Sequence, residues 1–170
     1  MDKIKINKFV DGYKQCISDE AKKNYLKRTL FIYSHLSYMT KANFAKKIVN
    51  SSYWSEDPVT HNKKFTKNSV AKNLLYYRSI VENYTNLIIS DNIFVNDYDN
   101  LYKYGLLDII INSIPEKELV EYNKILQLTE DDYIFNYTEP HNFISSMLDK
   151  VSYFSKDILP EFLKNNQKNN

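Results

Sequence analysis

Apolar residues recur every three or four positions along almost the whole chain, which is the period of an amphipathic helix. Such stripes run through residues 6–17, 25–49, 70–88, 101–133 and 143–158. A strand pattern competes only at residues 93–95. One domain is the expectation for a chain of 170 residues. The sequence therefore predicts an all-α fold, a single bundle of six or seven helices over residues 1–164, with a disordered polar tail at 165–170.

Polar residues and glycine mark where several helices begin or change direction. Ser18 is placed to cap one helix, and Asn68 or Ser69 to cap another, because such side chains accept hydrogen bonds from free backbone amides. We expect the helix that starts after Ser18 to bend near residues 31–34 before it continues. Gly105 lies inside an apolar stripe and indicates a kink or a close approach between helices.

Residues 52–66 form the one long loop that the pattern predicts. They show no apolar period, and they contain Pro58 and the single tryptophan, Trp54. One interpretation is a packed connection in which Trp54 is anchored to the core. The other is a loop that faces a partner, since long loops in compact domains are often functional.

The most regular apolar stripe spans residues 70–88. Its spacing alternates between four and three residues, as in the seam of a coiled coil. The members of this stripe are Val70, Leu74, Tyr77, Val81, Tyr84 and Ile88. The stripe is either an oligomer seam or the core face of a central helix in a monomeric bundle. We favour the central helix because the run is shorter than three heptads.

The glycine and cysteine counts exclude several classes of protein. Dinucleotide-binding sites, P-loops and nucleophile elbows need glycine where the backbone approaches a phosphate or turns sharply. The two glycines, Gly12 and Gly105, are far apart and lie in no such setting. The single cysteine, Cys16, excludes an internal disulfide and a cysteine-based zinc knuckle, and we interpret it as a small core residue.

Metal-ligating and catalytic residue types show no functional spacing. The histidines, His35, His61 and His141, have no second ligand at the spacing that shares a helix face. The acidic run at residues 130–132 is consecutive, so its side chains point about 100° apart around a helix. We therefore expect no catalytic residue, no metal site, no cofactor and no small-molecule ligand.

Charge is distributed unevenly between the two halves of the chain. Residues 1–72 hold 15 basic and 6 acidic side chains, whereas residues 73–170 hold 8 basic and 15 acidic ones. The halves either neutralise one another, or pack head to tail between copies, or present the basic half to nucleic acid or an acidic protein. The candidate partner-binding residues are Trp54, Lys22, Lys23, Lys46, Lys47, Lys63 and Lys64. With only Arg28 and Arg78 available to read bases, contact with nucleic acid would join lysine to phosphate and be independent of sequence.

Composition also bears on location and origin. The first residues alternate charged with apolar side chains, and no apolar run approaches the ~20 residues of a membrane span. We therefore expect neither secretion nor contact with a membrane. Lysine outnumbers arginine by 21 to 2, and the preference for amino acids with AT-rich codons indicates a low-GC bacterium or one of its viruses.

Four runs of the chain resemble a known group of proteins. The runs are KINKFVDGY at residues 5–13, NYLKRT at 24–29, YGLLDIIINSIPEKE at 104–118 and KILQLTEDD at 124–132. They are similar to small helical proteins of tailed phages and prophages of low-GC Gram-positive bacteria, over about residues 3–155. The resemblance implies a viral origin and a role in the virion, in its assembly or against the host. It carries no functional residues over to this chain.

The expected function is that of a non-enzymatic phage structural or assembly protein, which acts through protein–protein contacts in or on the virion. Its expected partners are other virion or assembly proteins, or copies of itself. The first alternative is an intracellular accessory protein that binds and inhibits a host or defence factor. The second is a sequence-independent nucleic-acid-binding protein. The expected location is the virion or the cytoplasm of the infected bacterium.

Overall fold

A computed structural model describes residues 3–56, 63–90 and 94–138 of the chain. The chain divides into two compact units, Met1–Thr129 and Glu130–Asn170, and the boundary falls inside the last described helix. The second unit is described only by residues 130–138, which are the final turns of that helix. The helix expected at 143–158 and the tail expected at 165–170 lie outside the described residues.

The described residues form seven α-helices, which confirms the all-α prediction. The helices are α1 (Ile6–Lys14), α2 (Asp19–Thr29), α3 (Tyr38–Ser52), α4 (Ser69–Tyr84), α5 (Val95–Lys103), α6 (Leu106–Ser113) and α7 (Glu116–Thr138). The described residues also form four short strands: β1 (Ile4–Lys5) before α1, β2 (Trp54–Glu56) and β3 (Lys63–Phe65) between α3 and α4, and β4 (Leu87–Ile88) after α4.

The strands correct the prediction of one long loop at residues 52–66. β2 and β3 pair in antiparallel fashion within this stretch, with Trp54 opposite Phe65. β1 and β4 pair in parallel, with Ile4 opposite Leu87. Strands of two or three residues are too short to show the alternation by which a strand is recognised in a sequence.

Side-chain caps start three of the helices. Ser18 Oγ accepts a hydrogen bond from the amide of Ala21 at 3.1 Å, which confirms the predicted start of α2. Asn68 Oδ1 accepts one from the amide of Ala71 at 2.9 Å and starts α4. Ser37 caps α3 in the same way, at a position that the apolar pattern did not reveal.

The helix expected to bend near residues 31–34 is instead broken there. Between α2 and α3 the chain runs antiparallel to the residues that follow α4. The amide of Tyr33 donates to the carbonyl of Tyr84 at 2.8 Å, and the amide of Phe31 donates to Asn86 Oδ1 at 2.9 Å. The break follows because aromatic and β-branched residues favour extended backbone, and Asn86 supplies the side-chain acceptor that such backbone needs.

Gly105 separates two helices and does not kink one. Its φ of 66° is in the left-handed region, where residues with a Cβ are strained. Phe94, with a φ of 67°, precedes α5 in the same conformation. Val95, where a strand pattern competed with the helical one, is the first residue of α5.

The core of the first unit is formed by the apolar faces of α1 and α3–α7. Its most buried members include Ile6, Phe9, Tyr53, Ile80, Tyr84, Leu101, Leu106, Ile110 and Tyr122. α1 packs against α2 and α5, and α4 packs against α3 and α5. The central position of α4 in this core agrees with the interpretation of a central helix.

The structure corrects the extent of the predicted oligomer seam. Its first residue, Val70, is 81% exposed, whereas Val81 and Tyr84 are fully buried within the chain itself. Leu74 and Tyr77, between them on α4, are partly buried. The last residue, Ile88, is not on the helix at all, because α4 ends at Tyr84 and Ile88 belongs to β4. A second copy therefore cannot pack along the whole stripe as the chain is folded here.

None of the helices that the structure describes is both long enough and apolar enough to cross a lipid bilayer.

We predict that the two glycines respond differently to alanine. Nothing lies within 4 Å of the Cβ that Gly105→Ala would add, so its cost is backbone strain alone, about 1 kcal/mol. Gly105→Asn should recover most of this loss, because asparagine tolerates the left-handed region. Urea denaturation measures both variants, and equal stability of the alanine variant and the wild type would contradict the assignment.

At Gly12 the cause is steric. A Cβ there would overlap the ring of Tyr25, whose hydroxyl donates to the carbonyl of Phe9 at 3.0 Å. Gly12→Ala must displace this ring and break its hydrogen bond. We therefore expect a larger loss, about 1–3 kcal/mol, in the same denaturation experiment. A loss no greater than that of Gly105→Ala would contradict this packing.

Candidate functional site

A buried ion pair joins α3 to α7. Lys41 is fully buried, and its Nζ lies 2.9 Å from Oε1 of Glu118, whose side chain is 4% exposed. Nζ also donates to Oε2 of the half-exposed Glu121 at 2.5 Å. These three residues are the buried ion centre. Removing charges from water is costly unless they are paired and hydrogen-bonded, so the two helices are held in one relative position.

Glu118 also holds the chain that connects α2 to α3. Its Oε1 accepts hydrogen bonds from the amide of Leu36 at 2.8 Å and from the hydroxyl of Tyr84 at 3.1 Å. Its Oε2 lies 3.0 Å from Nδ1 of His35. Because an ionised carboxylate only accepts hydrogen bonds, this nitrogen carries the proton. One carboxylate therefore joins α3, α4, α7 and the 31–39 connection.

These contacts fix the protonation states of the buried ion centre. Burial alone would raise the pKa of Glu118, but the hydrogen bonds from Leu36, Lys41, His35 and Tyr84 outweigh it and lower the pKa to about 2. For Lys41, burial acts to lower the pKa, and the hydrogen bonds to Glu121 and Glu118 overcome it, so the pKa is raised. Both groups are therefore charged at neutral pH.

A cluster of tyrosines continues the polar network between α4 and α7. Tyr122 OH lies 2.5 Å from Ser79 Oγ, and its ring stacks on that of Tyr76 with centroids 5.8 Å apart. Burial, partly offset by the bond to Ser79, raises the pKa of Tyr122 to about 12. The pKa of Tyr84 is raised by burial and by the negative charge of Glu118. These hydroxyls therefore stay protonated near neutral pH and bind α7 to α4.

The connection between α2 and α3 displays aromatic side chains to solvent. Phe31 and Tyr33 are about two-fifths exposed, and their rings meet edge to face at 5.0 Å. Tyr38 and Met39, in the first turn of α3, are 59% and 65% exposed. We name residues 31–39 the aromatic segment. The segment contains no lysine, arginine, aspartate or glutamate, in a chain of which 26% is charged.

Three neighbouring crevices lie on a different part of the first unit. Their volumes are about 930, 350 and 290 Å³. Lys3 lines both the first crevice, between α1 and α2, and the second, beside β4. Phe44, Arg78 and Glu82 line both the second and the third, between α3 and α4. Since neighbouring crevices share walls, we treat them as one surface, the lysine groove.

Two of the three predicted lysine pairs lie on different helices. Lys22 and Lys23 are on α2, where Lys22 Nζ lies 5.6 Å from the centre of the Tyr13 ring. Lys46 and Lys47 are on α3, and of these two Lys47 lines the lysine groove. Helical residues that are adjacent in sequence face different directions, so two neighbouring lysines do not belong to the same binding surface.

The other predicted partner-binding residues lie in the hairpin of β2 and β3. The backbone of Trp54 is in β2, and the backbones of Lys63 and Lys64 are in β3. The side chain of Trp54 lies outside the described part of the structure. Both alternatives for it, anchored in the core or facing a partner, therefore stay open.

The described residues contain no group of three histidine, cysteine or acidic side chains able to hold a metal ion. His35 is the one histidine among them, and Cys16 is partly buried with its Sγ 3.5 Å from the carbonyl of Gly12. In the acidic run, Glu130 is buried whereas Asp131 and Asp132 are exposed.

The buried ion centre was not identified from the sequence, although the sequence contains a signal for it. Lys41 lies on the same helical face as Ala45 and Ile48, which are buried. Glu118 lies on the same face as Tyr122 and Ile125, also buried. A charged residue on an apolar face needs an opposite partner, which is the observation that would have singled out both residues.

We predict that Glu118→Gln destabilises the protein by about 3 kcal/mol, because it leaves the buried Lys41 with only the half-exposed Glu121 as a charged partner. The matched control is Glu116→Gln, which removes the same charge from an exposed position in the first turn of α7. That control should change the free energy of unfolding by about 0.5 kcal/mol or less. Chemical denaturation at pH 7 compares the two, and equal losses would contradict a structural role of the ion pair.

We also predict acid sensitivity from the same group. The pKa of Glu118 is about 2 in the folded chain and 4.5 ordinarily. Its contribution is therefore complete above the ordinary pKa and is lost as the pH falls towards 2, by about 3 kcal/mol in total. Wild-type stability should fall more steeply over this window than that of Glu118→Gln. Parallel pH profiles of the two proteins would contradict the assigned pKa.

Comparison of the chain with protein-family models, with curated proteins and with solved structures finds no match.

Proposed function

We propose that this protein is a non-enzymatic phage structural or assembly protein that binds another protein through the aromatic segment. The observation that carries the proposal is a run of exposed aromatic side chains on a backbone that is hydrogen-bonded at both ends. The phage context rests on the sequence resemblance and on the lysine-rich composition described above.

The composition of the aromatic segment is that of a protein interface. The centres of such interfaces are enriched in tyrosine, phenylalanine and methionine and depleted of lysine and acidic residues. The segment exposes Phe31, Tyr33, Tyr38 and Met39 and has no lysine or acidic residue. The side chain of His35, 70% exposed, adds a polar group within it. These residues give a partner apolar area together with hydroxyl and imidazole hydrogen bonds.

The backbone of the aromatic segment is already ordered in the free chain. Its start is bonded to Asn86 and Tyr84, and Leu36 near its end is bonded to Glu118. A surface that is fixed before binding loses less conformational entropy when a partner arrives. This preorganisation supports a role in binding.

The chemistry of the buried ion centre and of the nearby Tyr122 supports a non-enzymatic role. A general acid or base works best when its pKa is close to the working pH. Glu118 and Tyr122 have pKa values of about 2 and about 12. The pKa of Lys41 is raised above its ordinary value of 10.5. All three are far from neutrality, so their arrangement suits structural support of the aromatic segment better than proton transfer.

The test uses particles purified from the phage that carries this gene. We expect quantitative mass spectrometry to find many copies of the protein per particle. The triple variant Tyr33→Ser, Tyr38→Ser, Met39→Ser should be made at normal levels in the infected cell but be depleted from particles at least about tenfold, as expected when interface anchors are lost.

The matched control removes equally exposed apolar side chains elsewhere, with Val70→Ser, Val95→Ser and Val120→Ser. This variant should enter particles like the wild type. Absence of the wild-type protein from particles would overturn the structural role and favour binding of a host factor. Equal incorporation of both variants would overturn the assignment of the aromatic segment.

A further inference from the structure

The lysine groove has unbalanced positive charge. Lys3, Lys5 and Lys8 line its first crevice and are exposed, and none of them forms a salt bridge within the described residues. Lys47 lines its third crevice, with its Nζ 5.3 Å from the centre of the Phe44 ring. The charge of the groove is therefore set by four lysines.

The acidic residues along the groove do not offset these lysines. Asp11 pairs with Lys14 at 3.2 Å, one turn further along α1. Glu82 pairs with Arg78 at 3.4 Å, one turn apart on α4. Each carboxylate is thus matched by a cation of its own helix. The surplus charge along the path is positive, and it requires an anionic ligand if anything binds there.

Aromatic rings accompany the lysines. Tyr25 lines the first crevice, and Phe44 lines the second and the third. Both residues are partly exposed, although the ring of Tyr25 also stacks on Phe9. A positively charged groove with aromatic side chains along it is the arrangement by which proteins hold single-stranded nucleic acids, with phosphates on the cations and bases on the rings.

We propose that the lysine groove binds a single strand of nucleic acid through its phosphates, a function beyond the protein contacts proposed above. The ligand is a single strand because an unpaired base can stack on the ring of Phe44, which lines two of the crevices. In a duplex the bases are paired and stacked on one another, so they are not available to this ring. An acidic protein segment would use the lysines but would offer no bases to the rings.

Binding through this groove should be independent of sequence. Lysine contacts a phosphate as a point charge, whereas reading a guanine uses the two-pronged guanidinium of arginine. The only arginine of the groove, Arg78, is held by Glu82. Oligonucleotides of equal length and different sequence should therefore bind with similar affinity.

The experiment measures fluorescence anisotropy of a labelled oligo(dT) strand of about 20 nucleotides, at about 50 and 200 mM salt. The wild-type chain should bind this strand more tightly than a duplex of the same length. The triple variant Lys3→Gln, Lys5→Gln, Lys8→Gln should weaken binding at least about tenfold. It should also reduce the slope of log affinity against log salt by about 2, since each phosphate contact on a single strand contributes about 0.7.

A matched control keeps the net charge of this variant but spares the groove. Lys23→Gln, Lys27→Gln and Lys46→Gln remove three exposed lysines from α2 and α3 that do not line the crevices. We expect this control to weaken binding less than about threefold, because it reduces only the long-range attraction between the positive protein and the negative strand. Phe44→Leu, which keeps an apolar side chain but removes the ring, should weaken binding about fivefold or more. Circular dichroism and Tm show whether each variant remains folded.

Four results would overturn the proposal. They are no binding of the wild type to oligo(dT) at the lower salt, equal weakening by the two triple variants, tighter binding of the duplex, and equally effective competition by polyglutamate of matched length. The last result would identify the groove as a docking surface for an acidic protein segment. Virion incorporation does not enter any of these measurements, so the proposed protein contacts are tested separately.

Discussion

The carboxylate of Glu118 is the group on which the arrangement of the first unit depends. It is buried and ionised, so it must accept hydrogen bonds that water would otherwise provide. Its donors are all distant from it in sequence: Leu36 in the aromatic segment, Lys41 on α3 and Tyr84 on α4. This one charge thus holds the end of the aromatic segment, whose start is held by Asn86 and by the carbonyl of Tyr84.

The helices could be predicted from the sequence because their signal is local. The apolar period and the caps at Ser18 and Asn68 depend only on residues within one or two turns. The break at residues 31–34 was missed because it depends on partners elsewhere in the chain. Asn86 accepts the hydrogen bond that stabilises this break, although it lies more than 50 residues away in sequence. A local sequence pattern carries no information on such a contact. β2 and β3 were missed because strands of three residues are too short to show an alternating pattern. Gly105 was recognised as irregular, but its left-handed conformation was not.

The surfaces proposed to bind partners were harder to predict, and for a physical reason. Neighbouring lysines such as Lys46 and Lys47 look alike in the sequence, yet only Lys47 faces the groove. A surface site combines side chains from several packed helices. Two residues that are adjacent in sequence therefore often belong to different sites. Lys41 could have been singled out from the sequence, because a charged residue on an otherwise apolar helix face is unusual and needs a partner of opposite charge. The sequence alone does not show that Glu118 is its partner, because the two residues are brought together only by the packing of distant helices.

The most direct test of this account is hydrogen–deuterium exchange in the wild type and in Glu118→Ala, which removes the acceptor of the Leu36 amide. If the carboxylate holds the end of the aromatic segment, the amide of Leu36 is protected in the wild type and loses most of its protection in the variant. The amides of α5 and α6, which do not contact Glu118 through any hydrogen bond described above, should keep theirs. Unchanged protection of Leu36 in the variant, or equal loss of protection throughout the first unit, would contradict the central role of Glu118.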